Sequence, residues 1–203
     1  DTGIDLAGAT LRQVIHISLG GSIVRLRLSN AFGTTPLVLH GVHLARAVTP
    51  IGSGAIQRES DREVRFGGQR AVTVPPGAIM LSDPVALEFP AMADLAISMH
   101  LEKVPALLTG RPGSRTNSYV APGDHLADTE MVGAKKTVHW YFITGVDVVD
   151  AEGGAAAVVV LGDSITDGYG CTTDANNRWT DELTRRLQGD PRTRRVAHGS
   201  GRS

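Results

Sequence analysis

Cysteine, aromatic residues and net charge are all scarce in this chain, and each scarcity removes a class of explanation. A single cysteine, Cys171, excludes a disulfide within the chain, so cysteine usage says nothing about the redox compartment. Aromatic residues make up only 4%, so a core must be built from Val, Leu, Ile and Ala. For the same reason no ring platform for stacking nucleic-acid bases is expected. The formal charge of −1 at pH 7 lacks the basic excess by which nucleic-acid binders hold phosphate backbones. No apolar run approaches the ~20 residues of a membrane-crossing helix. The opening DTGIDLAGAT has neither the basic start nor the apolar stretch of a secretory leader, so either the protein is cytoplasmic or a leader has been removed. No His or Cys pair has structural-zinc spacing and no acidic run resembles a calcium loop, so neither a metal nor another cofactor is expected.

What remains is the composition of a soluble globular protein. Of the 203 residues 41% are hydrophobic and 20% charged, with 24 glycines, enough for one large domain or one and a half ordinary ones. From Thr10 to about Val149 short apolar runs alternate with turn signals. "TLRQVIHISL" and "SIVRLRLSN" both have period two, and the Gly-Gly between them reads as a β-hairpin. Further runs at 37–48, 63–66, 71–74, 85–89, 95–101, 117–120 and 137–149 are separated by Pro75-Pro76-Gly77, Ser82-Asp83-Pro84, Arg111-Pro112-Gly113 and Ala121-Pro122-Gly123. No long helical period and no repeat interrupts them. The expectation for residues 1–150 is a β-sandwich, most simply a jelly roll.

The pattern changes at Glu152-Gly153-Gly154, the best domain boundary in the chain. Ala156 to Leu161 is a continuous apolar run, expected to be a central strand of a parallel sheet covered on both faces. A helix should follow, capped by Asn176 or Asn177. Trp179, Leu183 and Leu187 lie at i, i+4 and i+8, Arg185 and Arg186 suit its C-terminal end, and Gly189 with Pro191 stop it. Residues 155–203 thus open an α/β layer.

Between that strand and helix stands Gly162-Asp163-Ser164. In open parallel sheets reactive groups gather at the carboxyl ends of strands. A serine there becomes a nucleophile if a base takes its proton and N–H groups stabilise the oxyanion formed on the attacked carbonyl. A Ser/Asp/Thr-rich turn after a strand is ordinarily only a turn, and that reading stands beside the catalytic one. The G-x-S-x-G nucleophile elbow is absent, because Thr166 occupies its second glycine position. Asp167 can hold the loop by accepting backbone N–H groups.

"VVVLGDSITDGYG" followed by "TTDANNRWTDELTRRLQ" resembles the first block of the SGNH/GDSL hydrolases, in which Gly-Asp-Ser follows the first strand and Trp-x3-Leu-x3-Leu lies on the next helix. Upstream, "LRQVIHISLGGSIVRLRLSNAFG", "GSRTNSYVAPGDH" and "HWYFITGVDV" resemble the β-domain that precedes the catalytic domain in a bacterial subgroup of GDSL-type esterases. The resemblance runs from about Thr10 to Val196. It implies Ser164 as the nucleophile, with its own N–H an oxyanion donor, and Gly162 and Asp163 as the residues shaping the site. It implies a small ester or acylated carbohydrate as substrate, an acyl-enzyme route, no cofactor, and secretion. The family's later blocks, which bring a glycine and an asparagine to the oxyanion and then the aspartate and base histidine, have no counterpart here. Three outcomes follow: a fragment of a longer enzyme, pairing of the orphan strand with another chain, or packing of the unit on the β-sandwich. The first is the expectation, with little turnover by these 203 residues alone.

Seven histidines invite a search for the base. His16, His40, His43, His100 and His139 fall in or beside strands and read as structural. His125, flanked by Asp124 and Asp128, is either loop structure or the edge of a site. His198, the one histidine after Ser164, stands in what reads as an unstructured tail. Arg25 and Arg27 share a strand face and read as solvent-facing; Arg185, Arg186, Arg192, Arg194 and Arg195 read as a solvated helix end. Cys171 reads as a small packing residue. The competing function class is a carbohydrate- or polymer-binding β-sandwich with a vestigial strand-loop-helix, against which the scarcity of aromatics weighs.

Overall fold

A computed structural model describes residues 3–149 and 154–202, the side chains of 198–202 excepted. Asp1, Thr2, Glu152 and Gly153 lie outside the described residues, so the expected boundary is represented there by Gly154 alone. In chain order the elements are β1 (Ala9–His16), β2 (Gly21–Ser29), β3 (Leu37–Arg46), β4 (Arg62–Val64), β5 (Val72–Val74), β6 (Ile79–Leu81), β7 (Val85–Phe89) and β8 (Asp94–Lys103). They continue as β9 (Gly110–Pro112), β10 (Ser118–Pro122), β11 (Lys135–Thr137), β12 (His139–Tyr141), β13 (Ile143–Val149), β14 (Ala156–Gly162), α1 (Trp179–Gly189) and β15 (Val196–Arg202).

The protein is mainly β. One antiparallel sheet runs β11-β10-β1-β8-β3-β4 with β5 also on β3; a second runs β13-β2-β6 with β7 also on β2. Period two explains why they pack face to face. On β2 the side chains of Val24, Leu26 and Leu28 are fully buried, and they share one core with Leu11, Leu39 and Leu101 of the first sheet. Burying each such leucine contributes about 1.5–3 kcal/mol. Arg25 and Arg27 face outward as expected, Arg27 pairing with Asp147 at 2.9 Å across β13. The first sheet is covered on its other face too, where Val14, Ala45 and Ala96 pack beneath Ile56.

The expected β1–β2 hairpin does not form. β1 pairs with β8 and β10, whereas β2 pairs with β13, β6 and β7, so the chain crosses from one sheet to the other between them. The Gly-Gly pair serves close approach instead of a turn. A Cβ on Gly20 would lie 2.6 Å from the Ala91 nitrogen, and one on Gly21 would lie within 3.0 Å of Val149 and closer still to Val148. The single expected run at 137–149 breaks into β11, β12 and β13, with a sharp bend at the buried Phe142, whose φ is +62°. β6 and β9 are short strands that the sequence pattern missed, and β9 includes Arg111 and Pro112 of an expected turn.

Beyond residue 154 the chain folds as strand, loop, helix, strand. β14 and β15 pair in parallel, Ala156 opposite Val196 through Gly162 opposite Arg202. The expected tail around His198 is therefore a strand. The expectation of a strand covered on both faces fails: Val159 is 78% and Leu161 74% exposed. The expected apolar stripe of α1 fails as well. Its most buried residues are Thr180, Asp181 and Thr184, while Trp179 is exposed and Leu183 and Leu187 are half-buried. No helix among the described residues is long and apolar enough to cross a membrane.

Candidate functional site

Ser164 lies in the first turn after β14, at that strand's carboxyl end. The turn is built by its own backbone and one side chain. Asp163 Oδ1 accepts the Ile165 N–H at 3.0 Å, the Asp163 carbonyl accepts the Asp167 N–H at 3.0 Å, and the Ser164 carbonyl accepts the Tyr169 N–H at 2.7 Å. Asp163 thus has the loop-holding role expected of Asp167. Gly162 is required because a Cβ there would lie 2.3 Å from Thr166 Oγ1. Ser164 is exposed, and among the described residues neither its hydroxyl nor its N–H has a hydrogen-bond partner.

The loop is tied to the sheets by residues that carry no catalytic signature of their own. Asp167 forms an ion pair with Arg111, whose guanidinium also lies 5.5 Å from the centre of the Trp140 ring. Arg178 is buried; it donates to the Asp167 and Ser114 carbonyls and faces Asp181 Oδ2 at 3.4 Å. Asp174 Oδ1 accepts the Asn117 N–H at 2.8 Å, and Arg115 stacks 5.8 Å over the Tyr169 ring. Ser114, Arg115 and Asn117 belong to the "GSRTNSY" stretch, so that segment is the platform on which the serine loop rests. Sequence reasoning singled the stretch out only by resemblance. Its contacts join residues more than fifty positions apart, which no local pattern reports.

α1 begins differently from expectation. Its N-cap is Arg178, whose N–H is accepted by Asp181 Oδ2 at 2.9 Å. Asn176, with φ +45°, instead reaches across to β8, donating to Asp94 Oδ1 at 2.9 Å and lying 3.1 Å from His16 Nδ1. His16 and Asp94 are cross-strand partners on β1 and β8, with Nδ1 and Oδ1 2.8 Å apart. This histidine–carboxylate–amide cluster was missed by sequence reasoning, because the β1–β8 register joins His16 to Asp94 and only the fold of the loop before α1 brings Asn176 to them.

The remaining histidines are engaged elsewhere. His43 pairs with Asp61 at 2.9 Å, and His40 lies 3.2 Å from Glu102 with its ring 5.5 Å from that of His100. His125 bonds Asp128 at 2.7 Å and the Pro122 carbonyl at 2.9 Å, and these contacts, the carboxylate first, raise its pKa. Burial lowers that of His139. The side chain of His198 lies outside the described residues. Of the basic cluster, Arg185 pairs with Glu182 and Arg192 with Asp190, both exposed arginines. Cys171 is half-buried, its Sγ 3.6 Å from the Asn177 carbonyl. Among the described residues no group of three or more His, Cys, Asp or Glu is placed to hold a metal ion.

A cleft of about 870 Å³ separates the sheets from the serine loop and the start of α1. Phe32, Trp140 and Ile143 line one wall, and Thr166, Asp167 and Thr180 line the other; Ser164 is outside it. Chemically, the loop presents a hydroxyl and a free N–H to solvent on a backbone anchored from several sides. No family model matches the chain, and no curated protein matches it.

Proposed function

We propose that the protein carries the nucleophile of an SGNH/GDSL-type serine hydrolase acting on carboxylic esters, with residues 1–150 a jelly-roll-like domain and 155–203 the opening part of the hydrolase domain. The observation that carries the reading is the placement of Ser164: exposed, in the turn directly after a strand of a parallel β-α-β unit, between Gly162 and the anchor at Asp167. Its hydroxyl attacks the ester carbonyl of a small ester or acylated carbohydrate, and its own N–H is one donor to the oxyanion. A histidine takes the hydroxyl proton and returns it to the leaving alcohol, leaving an acyl-serine for water to cleave. That base comes from outside the 203 residues, and the neighbours Gly162 and Asp163 shape the approach.

The test is a fluorophosphonate probe applied to the full-length protein, which carries the base histidine, and to its Ser164→Ala variant. Labelling that disappears in the variant is expected; equal labelling of the two ends the proposal. The 203 residues by themselves should hydrolyse p-nitrophenyl acetate no faster than Ser164→Ala, because loss of the base removes orders of magnitude in rate.

A further inference from the structure

The cleft between the sheets and the serine loop has a volume within the range of about 300–1,000 Å³ common to small-molecule sites. Its sheet-side wall is apolar. Ile17, Phe32, Trp140, Ile143 and Val146 line it, and Phe32 is 64% exposed. Such a wall left open to water is unfavourable until apolar groups cover it. The arginines and aspartates of the lining are matched to one another, Arg111 with Asp167 and Arg178 with Asp181, so none is left over for an ionic ligand. Thr166 and Asp167, in the opposite wall, belong to the serine loop. Ser164 is outside the lining, but only two trans peptide units separate it from Thr166, so their Cα atoms lie within about 7 Å. A group attached at Ser164 therefore has only Thr166 to pass before it enters the cleft.

We propose that this cleft holds the aliphatic acyl chain of the ester, so that the substrates are esters of longer-chain carboxylic acids in preference to acetyl esters. The inference rests on Ser164 as the nucleophile. An acetyl group carries a single methyl beyond the carbonyl, ends short of the cleft and leaves its apolar wall wet. A chain of several methylenes passes Thr166 and covers that wall. The β-sheets thus contribute the chain-length preference, while residues 155–203 contribute the nucleophile.

The experiment labels the full-length protein with ethyl and octyl phosphonofluoridates that share one head group and differ only in the chain standing where the acyl chain stands. In either case the Ser164 Oγ–P bond forms as the P–F bond breaks, fluoride leaves, and the base histidine takes the hydroxyl proton. The octyl probe is expected to label Ser164 at least about tenfold faster, the worth of two buried methylene groups. Phe32→Asp and Thr144→Asp, which each place a charge in the cleft wall, should remove most of that advantage. The octyl-to-ethyl ratio is read within each variant, and the exposed Thr144 decides the matter if Phe32→Asp fails to fold. Val132→Asp, at an 83% exposed position outside the cleft lining, should keep the ratio. Equal labelling by the two probes, an advantage that survives Thr144→Asp, or one lost equally in Val132→Asp would overturn the proposal and leave Ser164 as the nucleophile. No labelling by either probe ends the reading of Ser164 and this inference with it.

Discussion

Arg12 is fully buried in β1, and everything on the outer face of the first sheet is arranged around it. Its guanidinium donates to Ser98 Oγ and to the carbonyls of Gly54, His125 and Asp128, at 2.8 to 3.1 Å. Burial pushes its pKa down to about 10, partly offset by Asp61 and Asp128, so it stays charged at neutral pH. Replacement by alanine leaves several buried carbonyls without donors and should cost more than about 3 kcal/mol in urea unfolding. Arg12→Lys should recover little of this, since one ammonium cannot span the same fork of acceptors. Gly54 sits on the Tyr119 ring with φ +75°, and a Cβ would lie 2.8 Å from it, so that loop also tolerates only glycine.

His125, whose carbonyl Arg12 holds, titrates with a definite sign. Both ring nitrogens face oxygens, so the protonated form is favoured and the pKa lies above the usual 6.5. Its stabilisation is fully present below about pH 6.5 and is lost as pH rises through the raised value. His139 acts oppositely: burial lowers its pKa, so its contribution is lost on acidification below about pH 6.5. His125→Gln should therefore flatten the fall in Tm between about pH 6.5 and pH 8, and an unchanged slope would exclude the assignment.

Among elements, α1 reverses its sequence pattern. Trp179, Leu183 and Leu187 have the spacing of a buried stripe, yet the helix turns Thr180, Asp181 and Thr184 inward. The reason lies at Arg178 and Asp181. A buried guanidinium needs its carboxylate, and Asp181 also accepts the N–H of the N-cap Arg178, so that face points to the sheets. Asp181→Ala is expected to free the serine loop and α1, raising amide exchange over residues 163–189 well above that of β1 and β8. Glu182→Ala, which breaks the exposed pair with Arg185, should change stability by less than about 0.5 kcal/mol. Similar exchange in the two variants would sink this account of the helix.

Across the whole molecule the imbalance is between a well-sealed pair of sheets and an apolar β14 facing solvent. Val159, Leu161, Ile165 and Tyr169 are all exposed at or just beyond that strand. Exposed apolar side chains on a protein with a net charge of −1 have little electrostatic repulsion to keep copies apart. Val159→Lys with Leu161→Lys should reduce dye binding to exposed apolar surface and light scattering on concentration, with little loss of stability. Unchanged scattering would show that the surface does not drive association.

Period two, turn residues and the shortage of aromatics determined by themselves that this is a mainly β protein with an aliphatic core. Leu26 and Leu28 could be assigned inward, and Arg25 and Arg27 outward, from alternation alone, because the side-chain period of a strand is a local property. The abrupt passage from Val158-Val159-Val160-Leu161 to Gly162-Asp163-Ser164 likewise marked the turn where the serine stands. Pairing was different. Whether Gly20-Gly21 closed a hairpin or crossed between sheets, whether Asn176 capped α1 or reached His16 and Asp94, and which face of α1 was buried were decided only by tertiary structure. Those outcomes depend on contacts between residues far apart in sequence, such as Arg111 with Asp167 and Ser114 with Arg178, whose electrostatic and packing free energies outweigh local propensity.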